Sequence, residues 1–395
     1  MRSTVLVLDG EQRAALATVR SLGRAGHLVH VASTVRGSIG GGSRFAASES
    51  LLPDPLGGSE RYAQAVRDIA LTRGAKVILP ITEPATLALL ESAEQLSGLT
   101  LPTSDLARFR AASDKEAVLA LAGSIGIDVP QQWTVTSADR ATIPAGAFPV
   151  VVKPARSVVG SDGQRKKTTV RYADTPAQLQ AVLAELGLID GPLLVQQRIE
   201  GHGVGVFLLR WEGQVVATFA HRRLREKPPS GGVSVCCESV IPPDALIEQS
   251  ARLLAALDWQ GVAMVEYKHD IRSGKDYLME INPRFWGSLQ LAIDAGVDFP
   301  ALLLALASGE RPQPVHHWRI GVRSRWCWGE IDHLVARLRR SDAELHLTAG
   351  SPGKLRTALT VLSPWRPRTR SDVWRWSDPR PGLRESLAWF QTLGR

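Results

Sequence analysis

Short apolar runs alternate with helix-like segments over the first hundred residues of the chain. The runs are rich in β-branched residues, as buried strands are: "TVLVL" (4–8), "HLVHVAS" (27–33) and "AKVILPIT" (75–82). Apolar positions with helical spacing follow the first run over residues 11–25 and the third run through residue 90. Strands that alternate with helices predict a parallel α/β sheet.

The middle of the chain has a denser strand pattern. "PLLVQQRIEGHGVGVFLLRWEGQVVATFAHRR", which begins at residue 192, predicts several strands joined by tight turns. Amphipathic helices are predicted on either side of it, over residues 174–187 and 242–261. The adjacent Cys236 and Cys237 fall in this region, and we expect them to be ordinary strand residues.

A β-hairpin is predicted where two apolar runs flank a turn. The runs are "VAMVEYKHD" (262–270) and the segment at 277–283. A loop over residues 271–275 would place Glu266 opposite Glu280 and Met264 opposite Asn282. Two carboxylates that face each other on neighbouring strands destabilise a sheet unless a cation neutralises them.

A divalent metal would resolve this conflict between the two carboxylates. We expect no lysine on the same face, since Lys268 lies two positions from Glu266 towards the turn. Mg²⁺ prefers oxygen ligands, and Asn282 supplies a neutral one. The alternative is a pair of solvated strands with scattered charges, which the apolar strings "VAMVE" and "YLME" disfavour.

Arg284 extends the file of polar side chains that begins with Glu280 and Asn282. Side chains on a strand alternate between faces with a period of two, so these three project from one face. A guanidinium group next to a metal site suits a bidentate hold on a carboxylate or a phosphoryl group.

Two lysines precede the hairpin in positions that suit an anion. Ser113 and Glu116 predict a capping box, which puts Lys115 in the first turn of a helix, where the macrodipole disfavours a cation. Lys115 is therefore either a solvated surface residue or a group directed at an anion. Lys153 ends a predicted strand, and a loop containing Gly160, Ser161 and Gly163 follows it. This loop is either a plain hairpin or a flexible cover for phosphates.

The overall composition is typical of a globular protein. The chain has 395 residues, of which 44% are hydrophobic and 22% charged, as in ordinary globular proteins. Its three cysteines form no disulfide framework, its first residues lack a signal-peptide core, and no window holds 18 apolar residues. We therefore expect a cytoplasmic protein without a membrane span.

The C-terminal residues 311–395 carry the excess of positive charge. They contain 16 Lys and Arg against 7 Asp and Glu, and seven of the 11 tryptophans. One hypothesis is peripheral attachment to an anionic membrane surface, and the alternative is that the tryptophans pack this tail onto the body. We expect no nucleic-acid binding, because no known module pattern is present. The oligomeric state is not predicted.

The string "VEY", fourteen residues before "EINPR", resembles the metal-binding core of the ATP-grasp superfamily. The resemblance covers roughly residues 1–305, because Lys115, Lys153 with its glycine loop and the strand "LLVQQRIEG" follow in the usual order. The strings "AHRRLREKPPSGGVS" and "INPRFWGSLQLAIDAGVDFP" resemble the predicted ATP-grasp carboxylate–amine ligases.

This resemblance implies an α/β fold of three parts and a tail. An N-terminal parallel α/β (pre-ATP-grasp) domain would occupy residues 1–105, and the ATP-grasp domain residues 106–310. The latter would contain a small lid subdomain at about 130–197 and an antiparallel catalytic sheet. Residues 311–395 would form a basic, Trp-rich C-terminal extension.

The resemblance also assigns roles to the candidate residues. Lys115 and Lys153 would hold the ATP phosphates under the 160–163 loop, and Glu266, Glu280 and Asn282 would bind Mg²⁺, or Mn²⁺ in its place. The segment that would lie against adenine and ribose consists of Gln196, Gln197, Arg198, Ile199 and then Glu200 or His202. Residues that would act on the acid, the acyl phosphate or the amine are Arg284, His221 and Arg222.

The implied activity is MgATP-dependent joining of a small-molecule carboxylate to an amine through an acyl phosphate, releasing ADP and phosphate. Such chemistry needs charge neutralisation and alignment more than a protein nucleophile. An ATP-grasp carboxylase, a thiol ligase and a catalytically silent ATP-binding module that recruits partners or a membrane through its tail remain alternatives. A nicotinamide-dependent dehydrogenase is disfavoured, because no G-x-G-x-x-G follows the first strand.

Overall fold

A computed structural model describes residues 2–136, 143–156, 158–160, 162–167, 170–186, 192–348, 350–363 and 368–393. Ser161, predicted to contact phosphates, lies outside the described residues.

The N-terminal part is the predicted parallel α/β sheet. Its elements are β1 (Thr4–Val7), α1 (Arg13–Arg24), β2 (Leu28–Ser33), β3 (Ala46–Leu51), α2 (Ser59–Arg73), β4 (Val77–Leu79) and α3 (Glu83–Glu91). The strands lie in the order β3-β2-β1-β4, and every pairing is parallel. β3 has no counterpart in the apolar pattern, because its sequence "AASESL" is largely polar and its side chains are mostly half-buried.

Two short helices connect this sheet to the middle of the chain, α4 (Leu106–Ser113) and α5 (Lys115–Ser124). The capping box predicted from Ser113 and Glu116 is wrong. Asp114 caps α5 by accepting a hydrogen bond from the Ala117 backbone amide, and Glu116 instead accepts one from the Thr134 hydroxyl at 2.6 Å. Lys115 therefore begins the helix, and its side chain is buried.

A smaller antiparallel sheet follows. Its elements are β5 (Gln132–Val135), β6 (Val150–Pro154), the hairpin strands β7 (Val158–Val159) and β8 (Lys166–Lys167), β9 (Arg171–Ala173), α6 (Pro176–Leu186) and β10 (Leu193–Gln197). The main strands lie in the order β5-β10-β6-β9. Lys153 sits near the end of β6, as predicted, and the β7–β8 hairpin follows it.

The largest sheet carries the predicted hairpin. Its first elements are β11 (Gly201–Trp211), β12 (Gln214–Lys227), β13 (Val233–Ser239), α7 (Asp244–Ala256), β14 (Gly261–Asp270), β15 (Asp276–Asn282), α8 (Leu289–Ala295) and α9 (Phe299–Ala307). The β14–β15 register pairs Glu266 with Glu280 and Met264 with Asn282, which confirms the predicted pairs, although the register shifts by one residue between Glu266 and Tyr267. The strands from β11 to β15 pair antiparallel.

Both faces of this sheet are covered by apolar clusters. One face, with Phe207 and Met264, packs on α1, α8 and α9, and the other, with Val206 and Val265, packs on α4, α5 and α7. Because neighbouring residues on a strand face opposite ways, each strand contributes to both clusters. Where the side chains of these strands become polar, the apolar cluster on that face of the sheet ends.

The C-terminal residues form β16 (Arg323–Arg325), α10 (Cys327–Arg339), α11 (Lys354–Leu362), β17 (Thr369–Ser371) and α12 (Arg380–Leu393). The two strands extend the large sheet in the order β13-β16-β17. The Arg20 Nε donates to Asp378 at 2.9 Å, with both side chains 1% exposed. The tail thus packs onto the body, as the second hypothesis expected, whereas its division from the body at residue 310 stays a prediction.

Among the described residues, no single helix is long and apolar enough to cross a membrane. Helices α8 and α9 satisfy the criterion of length and composition only when they are taken together, and they meet at an angle of 92°.

Candidate functional site

A cavity of about 420 Å³ opens where three strands of the large sheet leave the apolar core. Along one face, each strand changes from apolar to polar or glycine positions at the same level. The successive residues are Val262, Met264 and Glu266 on β14, Phe219, His221 and Arg223 on β12, and Leu209, Phe207, Gly205 and Gly203 on β11. The strand period that builds the core therefore also aligns the polar groups of the cavity.

Glycines on β11 make room for two of these polar side chains. A Cβ atom on Gly203 would lie 2.8 Å from Cδ of Arg223. A Cβ atom on Gly205 would lie 3.0 Å from Nε2 of His221 and 2.6 Å from the Phe207 ring. Within the string "GHGVGV", Gly203 and Gly205 therefore leave the space that the Arg223 and His221 side chains occupy.

Glu280 lies between two lysines that come from other elements. The Lys115 Nζ is 3.2 Å from its carboxylate, and Lys153 lies close enough for its charge to act on the same group. Burial alone would raise the pKa of Glu280, but the charges of Lys115 and Lys153 lower it to about 2. Burial lowers the pKa of Lys153 to about 8. The two cations thus share one wall with the carboxylate.

Glu266 is held by Arg223, which lies within the quoted string "AHRRLREKPPSGGVS" but was given no individual role from the sequence. Arg223 donates from Nη2 to Glu266 at 2.6 Å and from Nη1 to Glu226 at 2.8 Å. The cations that meet the two carboxylates come from outside the hairpin, with Lys115 from α5 at Glu280 and Arg223 from β12 at Glu266. Burial alone would lower the pKa of Arg223, but Glu266 and Glu226 raise it above its usual value.

Asn282 and Arg284 continue the file from Glu280 as predicted. The Asn282 amide donates to Glu280 at 3.2 Å, and Arg284 donates from Nη2 to the Asn282 Oδ1 at 2.9 Å. All three line the cavity. These three polar side chains on one face of the strand therefore form part of the cavity wall.

The donor set fits a hard divalent cation. Among the described residues no three His, Cys, Asp or Glu side chains cluster as a complete metal cage. Two opposed carboxylates and an amide oxygen are instead an incomplete oxygen set, which Mg²⁺ typically completes with phosphate oxygens and water. The facing pair Glu266 and Glu280 is the observation that supports the fit.

The segment predicted to lie against adenine also lines the cavity. Gln196, Gln197, Arg198 and Ile199 line it, and β10, which contains the two glutamines, pairs with the strand of Lys153. The Gln196 side-chain Nε2 donates a hydrogen bond to the Gln132 Oε1 at 2.9 Å. The Arg198 guanidinium lies 5.8 Å from the centre of the Tyr172 ring, which also lines the cavity.

Several predicted residues lie outside the cavity. Arg222 faces away from it and pairs with Glu238 at 2.7 Å, because it sits one position from Arg223 on the same strand. Glu200 pairs with Arg272 at 2.8 Å, and the His202 ring packs 5.1 Å from His269. Neither Glu200 nor His202 lines the cavity, and the ribose contact stays a prediction.

Gly160 and Gly163 also lie outside the cavity wall. Both have positive φ, 100° and 83°, which only glycine adopts without strain. Their loop is tied to the N-terminal part of the chain. Asp162 accepts the Ser59 backbone amide at 3.1 Å, and Arg165 donates to Glu91 at 2.6 and 2.8 Å.

Three further residues of the cavity wall were missed by the sequence analysis: Arg13, Glu226 and Lys268. Arg13 is the first residue of α1. A residue of the C-terminal tail holds its side chain, since Nη1 donates to Asp372 at 2.5 Å. The same guanidinium lies 4.3 Å from the centre of the Trp326 ring. No local pattern could show this contact, because the partners are more than 300 residues apart.

His221 and the two adjacent cysteines are all buried, but neither cysteine lines the cavity. His221 lines the cavity, and burial lowers its pKa well below the usual value, so its imidazole is neutral. Its Nδ1 lies 3.3 Å from the Ser288 hydroxyl. Burial raises the pKa of Cys236 to about 11 and that of Cys237 to about 12, so both thiols stay protonated, as expected of strand residues.

Part of the chain matches a known family model. Residues 190–329 match the model described as ATP-grasp in the biosynthetic pathway with Ter operon. The chain is also 27% identical over 233 residues to the Vancomycin B-type resistance protein VanB of Enterococcus faecalis. That alignment covers 54% of this chain and 66% of VanB, just under two thirds of the relative's length.

Solved structures share the fold at low identity. The L-amino acid ligase from Bacillus licheniformis superposes with a TM-score of 0.61 at 18% identity, covering 78% of this chain and 74% of that one. The biotin carboxylase domain of the Hydrogenobacter thermophilus 2-oxoglutarate carboxylase, solved with MgADP, ADP and bicarbonate, gives 0.62 at 16% identity and covers 82% and 73%. The parallel sheet, the smaller sheet and the large antiparallel sheet are thus the ATP-grasp fold.

Proposed function

We propose, from the premise that this chain belongs to the ATP-grasp superfamily, that it is a MgATP-dependent ligase that joins a carboxylate to an amine. One observation carries the proposal. Glu266 and Glu280 face each other in a cavity where Lys115, Lys153, Arg223 and Arg284 converge. A site with two carboxylates and four cations suits a metal–nucleotide complex together with a second anionic substrate.

The two lysines would hold the phosphates of ATP. Lys115 and Lys153 flank Glu280, so a phosphate chain bound there would meet both ammonium groups. Glu266, Glu280 and Asn282 would bind Mg²⁺, which supplies neutralisation of the phosphate charge; Mn²⁺ uses the same donor set. The cavity edge at residues 196–199 would lie against the adenine.

The reaction follows from this arrangement in two steps. A carboxylate oxygen of the acid attacks the γ-phosphorus of ATP, the bond to the bridging oxygen breaks, and ADP leaves. The amine nitrogen then attacks the carbonyl carbon of the acyl phosphate, and phosphate departs with the electrons of the C–O bond. The nitrogen loses a proton, so the products are an amide, ADP, phosphate and a proton.

Three residues of this chain would act on the acyl group. Arg284 and Arg223 would stabilise the negative charge of the acyl phosphate from two sides of the cavity. His221 is a neutral but weak base that could take the amine proton. Arg222, predicted for this role, points away from the cavity and pairs with Glu238, and we do not propose it.

Substrate-dependent ADP release tests the proposal. The full chain is incubated with MgATP and with pools of acids and amines, separately and together. We expect ADP and phosphate release that needs both pools and falls roughly 100-fold or more in Glu280→Gln. Glu200→Gln, a carboxylate outside the cavity, is the matched control and should keep the activity.

The other outcomes of this assay are equally informative. Release that needs bicarbonate or a thiol, and no amine, would indicate a carboxylase or a thiol ligase on the same scaffold. Tight ATP binding without stimulation by any pool would indicate the catalytically silent module. Either result would overturn the carboxylate–amine assignment.

A further inference from the structure

A second cavity, of about 320 Å³, lies between the end of β12 and the C-terminal helices. Residues of α10 and α11 form its outer wall, among them His333, Arg337, Thr357 and Thr360. These residues follow position 329, where the match to the family model ends. We call this cavity the tail chamber.

The tail chamber adjoins the main cavity. Arg223 and Glu226 line both of them. The pairing of β12 with β13 is irregular between Arg223 and Arg225 and again between Arg225 and Glu226. These irregularities break the alternation of faces, so consecutive side chains at the end of β12 reach both cavities. A ligand in the tail chamber would therefore lie beside the proposed site of acyl transfer.

A buried arginine dominates the outer wall of the chamber. The Arg337 side chain is 2% exposed and donates to the Pro352 carbonyl at 2.6 Å. Its carboxylate partner, Asp342, is 3.2 Å away and 63% exposed, so solvent weakens that pair. The Arg337 Nε is buried and has no hydrogen-bond partner in the described part of the chain. This guanidinium therefore retains capacity to bind an anion.

The remaining groups give the chamber a direction. Glu226 is the carboxylate at the wall that the two cavities share, and its Oε1 accepts from Arg223 at 2.8 Å, so an ammonium group there would meet the other oxygen. Arg337 of α10 is a cation of the same chamber, and Thr357 and Thr360 of α11 also line it, with hydroxyls that donate to the carbonyls of Pro352 and Thr357. Such a distribution matches a molecule with a carboxylate at one end and an ammonium group at the other.

We propose that the tail chamber binds the amine substrate, and that this substrate is an amino acid or a short peptide. Its carboxylate lies against Arg337 and its ammonium group lies at Glu226, where the nitrogen faces the main cavity. This inference rests on the proposed function. It adds that the C-terminal region selects the acceptor.

Hydroxylamine separates acceptor binding from acid activation. It is small enough to trap an acyl phosphate as a hydroxamate without occupying the chamber. We would assay the full chain with MgATP and the acid pool, using either hydroxylamine or a pool of amino acids and dipeptides. Thr360→Phe fills the chamber, Arg337→Gln removes the cation, and Leu359→Phe, on the exposed face of the same helix, is the control.

We expect the ratio of amide to hydroxamate to fall at least tenfold in Thr360→Phe and in Arg337→Gln, and to stay unchanged in Leu359→Phe. Amino-acid amides, which lack the carboxylate, should be at least tenfold poorer acceptors for the unaltered chain. A ratio within twofold of the unaltered chain in both chamber variants would overturn the proposal.

Direct binding keeps the two proposals distinct. Saturation-transfer NMR on the full chain, with the amino-acid and dipeptide pool and without ATP, should give a signal that Thr360→Phe removes and Leu359→Phe retains. If that holds while no acid yields a hydroxamate, the chamber stands and the ligase assignment fails. If the signal is equal in Thr360→Phe and the unaltered chain, the chamber proposal fails whatever the activity.

Discussion

Arg223 and Arg222 show how one position along a strand decides the chemistry of a side chain. Arg223 lies in the cavity between Glu226 and Glu266, whereas Arg222 pairs with Glu238 outside it. The sequence contains the signal that separates them, because Phe219, His221 and Arg223 share the core-facing parity of β12. Applying strand alternation from Phe219 would have selected Arg223.

Replacing these two arginines should have unequal effects on activity. Arg223→Gln leaves Glu266 and Glu226 without their buried cation and removes a charge from the site of the acyl phosphate. We expect kcat/KM to fall roughly 100-fold, and by less than about threefold in Arg222→Gln. Steady-state ADP release on both variants checks this; equal losses would refute the placement of Arg223.

The facing carboxylates were predictable and their cations were not. The predicted pairing of Glu266 with Glu280 is present, but a bulge between Glu266 and Tyr267 produces it, because the pairs nearer the loop are shifted by one residue. The contact from Lys115 to Glu280 spans 165 positions and depends on how α5 docks on β15. Contacts of that kind are set by packing, which the spacing of residues does not encode.

The β7–β8 hairpin, which follows Lys153, is held by side-chain contacts to the N-terminal part of the chain. Its connecting loop is joined to the N-terminal part by Asp162 to Ser59 and by Arg165 to Glu91. Arg165 and Glu91 are largely buried, at 9% and 13% exposure. These contacts hold the hairpin against the N-terminal part of the chain, and the cover over the ATP phosphates stays a prediction.

Breaking the tie should release the hairpin without unfolding the protein. We expect Arg165→Ala to speed amide hydrogen exchange in residues 158–160 and 162–167 at least tenfold, because the ion pair and the hydrogen bond to Ser59 are lost. Arg171→Ala, which removes an exposed pair with Glu185, serves as the control. Unchanged exchange in Arg165→Ala would show that the tie does not hold the hairpin.

Strands with a clear apolar pattern were predicted from the sequence, and strands without such a pattern were missed. The strands β1, β2 and β4 and the hairpin β14–β15 are apolar and short, and each appears close to its predicted position. β3 was missed because it is an edge strand with polar side chains. Strands β16 and β17 have three residues each; β16 pairs with the edge of β13 and β17 with β16, and no local sequence pattern predicts these pairings.

At the scale of the whole molecule, the tail is fixed by buried charges. Arg20 on α1 donates to Asp378 and to the carbonyls of Asp372 and Val373. The Ser43 hydroxyl and the Arg44 backbone amide also donate to Asp378, at 2.7 and 2.9 Å. This network joins the first and last parts of the chain, so the basic composition of the tail does not by itself indicate an external partner.

Removing one side of the buried pair should destabilise the whole chain. Arg20→Ala leaves the Asp378 carboxylate buried without its guanidinium, which costs about 3–5 kcal/mol in free energy of unfolding. Arg44→Ala removes only an exposed guanidinium and should cost less than about 1 kcal/mol, since its backbone amide still donates. Urea unfolding of the two variants checks this; similar stabilities would contradict the account.

Glu385 predicts how stability depends on pH. Burial, and then the neighbouring charge of Asp372, raise the pKa of Glu385 from 4.5 to about 7. The folded state therefore holds a proton that the unfolded state releases at lower pH, so Glu385 costs stability progressively between about pH 4.5 and 7 and fully above that.

Glu385→Gln should remove this cost while keeping an oxygen for the Trp326 indole N–H, now 2.7 Å from the carboxylate. We expect no difference from the unaltered chain below about pH 4.5 and a gain of roughly 3 kcal/mol in free energy of unfolding at pH 8. Glu94→Gln, at an exposed site, is the control. A gain that does not grow with pH would contradict the burial of this carboxyl.

The transfer of an oxygen atom tests the central claim most directly. Acids labelled with ¹⁸O in the carboxylate are supplied with MgATP and the amine pool, and the released phosphate is analysed by mass spectrometry. If the acid attacks the γ-phosphorus and the amine then displaces phosphate, each phosphate formed carries one ¹⁸O from the acid. Unlabelled phosphate accompanying amide formation, or release of phosphate without the acid, would contradict the acyl-phosphate ligase proposed for this cavity.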